Sequence, residues 1–80
     1  MKEIKIDELR EILEKTFPNE NISENIRTLK LGDLESWDSL GNFNLLLAIE
    51  EFYDLRFSMD EIESIKSVNK IIEILEEKNG

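Results

Sequence analysis

Apolar residues recur at helical spacing in four stretches of this 80-residue chain, separated by polar breaks. In the first, Ile6, Leu9, Ile12, Leu13 and Phe17 fall on one side with Glu, Arg and Lys between them, which predicts a helix over residues 6–17. Pro18 follows at once and disfavours helical geometry in the residue before it. Residues 19–38 are rich in Asn and Ser, with apolar side chains only at Ile22, Ile26, Leu29, Leu31, Leu34 and Trp37. A connection this long inside a small domain is expected to be ordered and packed, with a short turn of helix near residues 24–29. Residues 40–55 make the strongest helix, free of Pro and of any Gly beyond Gly41 in the first turn. Ser58 followed by Glu61 fits a capping box and predicts a short helix to about residue 65. Ser67 can cap a last helix lined by Val68, Ile71, Ile72 and Leu75, and Asn79-Gly80 suits its C-terminal end. The expected fold is all-α: one domain over residues 1–80, a small four-helix bundle with a long loop between helices 1 and 2 and a short third helix.

The second helix carries more hydrocarbon than a single stripe needs. At 3.6 residues per turn, Leu45, Leu46, Ile49, Phe52 and Tyr53 share one broad side, the natural core face. Leu40, Phe43 and Leu47 form a second strip bordered by Glu50 and Asp54. Two readings stand: a central helix buried on nearly all sides, or a core helix with an exposed apolar strip rimmed by carboxylates, suited to transient docking.

Composition narrows the chemistry. Nineteen acidic residues against ten basic ones give a formal net charge of −9, which disfavours nucleic acid and anionic membranes as partners and favours basic protein surfaces. With no Cys there is neither a disulfide framework nor a thiolate, and with no His the commonest general base and metal ligand is missing. No stretch is long and apolar enough for membrane insertion, and the first seven residues lack an apolar signal core, so a cytoplasmic location is expected. The expected oligomeric state is a monomer.

Candidate chemistry concentrates where the long loop meets the second helix, at Trp37-Asp38-Ser39-Leu40. Asp38 or Ser39 can cap the helix while Trp37 packs inward. A helix N-terminus favours anions, so a phosphodiester on Ser39 would sit in a favourable field. Asp38-Ser39-Leu40, then Leu45, Leu46, Ala48-Ile49-Glu50-Glu51 and Tyr53, resemble the acyl and peptidyl carrier protein family. Phe57-Ser58-Met59-Asp60-Glu61-Ile62 and Ile65-Lys66-Ser67-Val68 look like that family's approaches to its third and fourth helices, so the likeness runs over residues 38–75. Only Asp-Ser-Leu is a specific motif.

The resemblance implies that Ser39 accepts 4′-phosphopantetheine covalently from coenzyme A, and that the arm's thiol carries acyl groups as thioesters to partner enzymes. The partners implied are a phosphopantetheinyl transferase and acyl ligases, synthases or transferases with basic docking surfaces. By matching position, Leu40, Phe43 and Leu47 would be apolar contacts, with Glu50 and Asp54 facing basic residues. The chain departs from many fatty-acid-synthesis carriers in having Gly41 and Asn44 where those have acidic residues. With Trp37 before the motif, it looks more like stand-alone carriers of specialised pathways, small-acyl and aminoacyl carriers included, and an aminoacyl or peptidyl carrier is the alternative role.

Three other classes compete with this reading. A plain acidic helical interaction domain would use Ser39 only as a cap and would take no prosthetic group. Calcium binding through Asp33, Glu35 and Asp38 lacks the alternating oxygen ligands, central Gly and closing Glu of a helix–loop–helix site. Catalysis by Glu50 and Glu51 fails because neighbouring helical residues point about 100° apart. No catalytic residue and no metal site is expected, and the chain is not expected to be an enzyme.

Overall fold

A computed structural model describes residues 4–79. Four helices follow in order: α1 (Ile6–Thr16), α2 (Ser39–Tyr53), α3 (Met59–Ser64) and α4 (Val68–Asn79). The all-helical fold, the long α1–α2 connection and the short α3 match the expectation from periodicity. No helix among the described residues is long and apolar enough to cross a membrane.

α1 buries Leu9, Ile12 and Leu13, keeps Asp7 and Glu8 in its first turn and Lys15 in its last, and so agrees with the helix dipole at both ends. It stops where Pro18 requires, with the Phe17 N–H bonded to the Leu13 carbonyl. Its exposed ion pairs, Arg10–Glu14 and Lys15–Glu11, add little, because solvent screens them. Arg10 matters more for the loop. Its guanidinium donates to the Ser23 and Ile22 carbonyls, both at 3.0 Å, and pins that stretch to α1.

The loop is packed throughout. Ile22, Ile26, Leu34 and Trp37 are buried in the core, and Glu20 accepts the Ser36 N–H at 2.8 Å, tying the loop's two ends together. The Leu31 N–H donates to the Lys66 carbonyl and the Val68 N–H to the Leu29 carbonyl, stitching the loop to the α3–α4 junction. The expected turn of helix at residues 24–29 is not formed. Asn25 Oδ1 instead accepts the Arg27 N–H, and Ser23 Oγ donates to the Asn25 carbonyl. Such short side-chain bonds offer the backbone an alternative to a helix. One turn remains, closed by the Leu29 N–H on the Ile26 carbonyl.

α3 has the expected capping box. Ser58 Oγ accepts the Glu61 N–H, and Glu61 accepts the Ser58 N–H at 2.8 Å. Ser67 Oγ accepts the Lys70 N–H at the start of α4. Val68, Ile71 and Leu75 are buried as expected, Ile74 joins them, and Ile72 is only half-buried. The C-terminal role expected of Asn79-Gly80 involves Gly80, which lies outside the described residues.

α2 is the spine of the core. Leu45, Leu46, Ile49 and Tyr53 are buried, whereas Phe52, grouped with them from its spacing, is 37 % exposed. At about 100° per residue, Phe52 lies roughly 60° to one side of Ile49. That places it at the margin of the core face, over the seam with α1, beside Ile12, Lys15 and Ala48, with its ring edge-on to Tyr53. The opposite side answers the question that periodicity left open: Leu40, Phe43 and Leu47 are all exposed.

Candidate functional site

The loop delivers Trp37 into the core, where it is fully buried and stacks on Phe17 with ring centroids 6.2 Å apart. The next residue turns the chain into α2. Asp38 adopts extended dihedrals, and its Oδ1 accepts the Gly41 N–H at 2.8 Å, so Asp38 is the N-cap. This leaves Ser39, the first helical residue, without a capping role. It is exposed, and its hydroxyl makes no hydrogen bond among the described residues. The N–H groups of Ser39 and Leu40 precede the first intrahelical bond and have no helical acceptor, which favours an anion at this end.

The residue at position 41 is dictated by packing. A Cβ there would land on the Ser36 carbonyl oxygen and press on the Phe17 ring at 3.1 Å. A glycine lets the loop backbone lie directly against the first turn of α2, and an acidic side chain at this position would push them apart. Of the two departures from acidic carriers, the one at Gly41 therefore has a steric cause in this chain, and the one at the exposed Asn44 does not.

Beside Ser39 an open cleft of about 560 Å³ runs between α2 and α3. Leu31, Phe43 and Ile62 line it with hydrocarbon, and Glu63 and Lys66 bring charge. Its floor includes Asn42, the one buried polar residue of the core among those described. Asn42 and Lys66 were not singled out by sequence reasoning. Asn42 had a readable signal: it lies on the same side of α2 as Leu45 and Ile49, a polar residue at a core position. Lys66 had none, since its place depends on the loop that pairs with the α3–α4 junction.

The outer strip runs from Ser39 down α2. Leu40 is 70 % exposed, Phe43 and Leu47 less so, and Asp54 is exposed at the far end in left-handed geometry (φ 55°). Glu50 stands apart from the other charged positions. Its Oε2 accepts the Phe57 N–H at 2.7 Å and secures the turn after α2. A second cleft of about 410 Å³ opens here, between Leu47 and Arg56. Elsewhere, Glu61 bonds Lys78 at 2.9 Å, and the Ser58 N–H followed by Lys78 hold its carboxyl below the ordinary value. Burial, then the nearby Glu8 carboxylate, pushes the Tyr53 phenol up to about 12. Asp33, Glu35 and Asp38 do not converge: Asp33 accepts the Lys30 N–H while Asp38 caps α2, and no metal-ligating group of three forms among the described residues.

Over 42 residues the chain is 40 % identical to proteins named Acyl carrier protein from Buchnera aphidicola subsp. Acyrthosiphon pisum, strains Tuc7 and APS, and as similar to that of strain 5A. The chain is related to the acyl carrier proteins. The matched stretch covers 52 % of this chain and 52 % of each relative, so the chain spans about half the length of the acyl carrier proteins it matches. No family model matches the chain, and no solved structure matches it significantly.

Proposed function

We propose that this chain is an acyl carrier rather than an enzyme, with Ser39 as the attachment point of 4′-phosphopantetheine and a cytoplasmic monomer as its working form. One observation carries the reading: the Ser39 hydroxyl is exposed and uncommitted at the first position of α2, because Asp38 does the capping. The kinship with acyl carrier proteins supports the same role.

The residues present fit such a group. The helix end offers free N–H donors to a phosphodiester, the cleft beside Ser39 gives an arm room to lie, and no buried side chain blocks the hydroxyl. Loading breaks one phosphoanhydride bond of coenzyme A and forms a phosphodiester to Ser39 Oγ, and the nucleotide leaves. The serine proton passes to a base of the phosphopantetheinyl transferase, since this chain has no His to take it. The bound arm supplies the thiol that this Cys-free chain lacks and holds acyl groups as thioesters.

Leu40, Phe43 and Leu47 form the apolar part of the surface that meets the transferase and the acyl ligases, synthases or transferases. Asp54 and the overall charge of −9 attract basic partner residues and speed encounter. Glu50 contributes its field from a fixed position, held by Phe57. Incubation with coenzyme A and a broad-specificity phosphopantetheinyl transferase is expected to raise the intact mass by one phosphopantetheine, and Ser39→Ala to abolish the gain. A wild-type chain that stays unmodified leaves a plain acidic helical interaction domain.

A further inference from the structure

Whatever Ser39 carries must either enter the core or stay outside it, and Asn42 stands at the point where that is decided. Asn42 is 7 % exposed, and both ends of its amide are engaged. Its Oδ1 accepts the Trp37 Nε1–H at 2.9 Å, and its Nδ2 donates to the Ile65 carbonyl at 2.8 Å. The indole can only donate and the carbonyl can only accept, so one orientation of the amide satisfies both. The two bonds join the end of the loop, the first turn of α2 and the end of α3. Trp37 and Ile65 are themselves fully buried, so the latch lies in dry surroundings.

We propose that this Asn42 latch closes the interior to the cargo, and that the carrier is built for short acyl groups held in the open cleft rather than long alkyl chains drawn into its core. The inference rests on the carrier reading of Ser39. A chain passing from Ser39 between α2 and α3 must part them where Asn42 spans the gap. Parting them orphans the indole N–H, both ends of the amide and the Ile65 carbonyl. Each buried orphan offsets the burial of roughly one to four methylene groups, so with four orphans an acyl chain must bury about four to sixteen carbons merely to break even. Short groups cannot do that. The core itself is filled: Leu45, Leu46, Val68, Ile71 and Leu75 are all nearly or wholly inaccessible. The cleft outside is open, and its charged Glu63 and Lys66 make it a poor solvent for a long alkyl chain.

The test loads the full chain with phosphopantetheine bearing acetyl, butyryl or octanoyl groups and follows two signals: the melting temperature and the NMR resonance of the Trp37 indole N–H. The expected result for the wild-type chain is one melting temperature across the series and an unmoved indole resonance. Asn42→Ala, compared with its own unacylated form, is expected to gain several degrees with octanoyl and little with acetyl. A loaded wild-type chain that gains several degrees with octanoyl while its Trp37 resonance shifts overturns this inference and leaves the carrier reading intact. Failure to add any mass at Ser39 overturns both. The wild-type series decides the matter even if the variant does not fold.

Discussion

Ile49 and Leu47 lie two residues apart on α2, yet one is wholly buried and the other is 46 % exposed. The inner side of the helix, with Leu45, Leu46, Ile49 and Tyr53, is filled from α1, the loop and α4. The outer side, with Leu40, Phe43 and Leu47, has hydrocarbon to spare. Burial stabilises a fold, whereas exposed hydrocarbon contributes nothing to it and makes the surface more adhesive. The outer strip therefore needs a reason outside the fold, and it begins one residue after Ser39.

The largest effect expected from breaking this comparison is on stability. Ile49→Ala removes fully buried hydrocarbon and is expected to cost about 2–5 kcal/mol, a large part of what an 80-residue domain has. Leu47→Ala is expected to stay within about 0.5 kcal/mol of wild type. Urea unfolding of the two variants checks the contrast, and equal losses would mean that the outer strip belongs to the core. Gly41→Ala comes next. The added methyl meets the Ser36 carbonyl backbone, which cannot swing away, and the expected cost is about 1–3 kcal/mol by the same measurement. A neutral result would show that the loop is not seated on α2 as described.

The helices, the capping box and the two faces of α2 were legible in the sequence because each is a local pattern: a 3.6-residue period, a Ser three residues before a Glu, a Pro after the last apolar residue. The exposure of the second strip was not, since periodicity finds a side of a helix and cannot say whether anything covers it. Phe52 was misplaced for a related reason, lying at the edge of the face where α1 ends its cover. Ser39 stands out in the sequence by its motif, but which of Asp38 and Ser39 caps α2 is legible only in the structure, because either residue can cap. Asn42 was overlooked as one polar residue in an apolar run. Its meaning depends on Trp37 five residues before it and Ile65 well beyond it.

The smallest expected effect belongs to the cap of α3, in pH dependence. Glu61 is held below its ordinary value by the Ser58 N–H and by Lys78. Above that ordinary value the carboxyl is ionised in both folded and unfolded chains, and its contribution is complete. As pH falls, the unfolded chain takes up the proton first, and the contribution fades through the lower folded value. The difference in stability between wild type and Glu61→Gln is therefore expected to shrink below about pH 4.5. A difference that is constant with pH would assign the carboxylate's part in the cap to hydrogen bonding without charge.

Leu40→Ala separates the two sides of α2 most directly, with thermal melting and the rate of phosphopantetheine transfer measured on the same preparation. At 70 % exposure Leu40 adds little to the core, so the melting temperature should match wild type, while loading of Ser39 slows by about tenfold as a central apolar contact with the transferase is lost. A variant that melts well below wild type yet is loaded at the wild-type rate would contradict the account and return the outer strip to the fold.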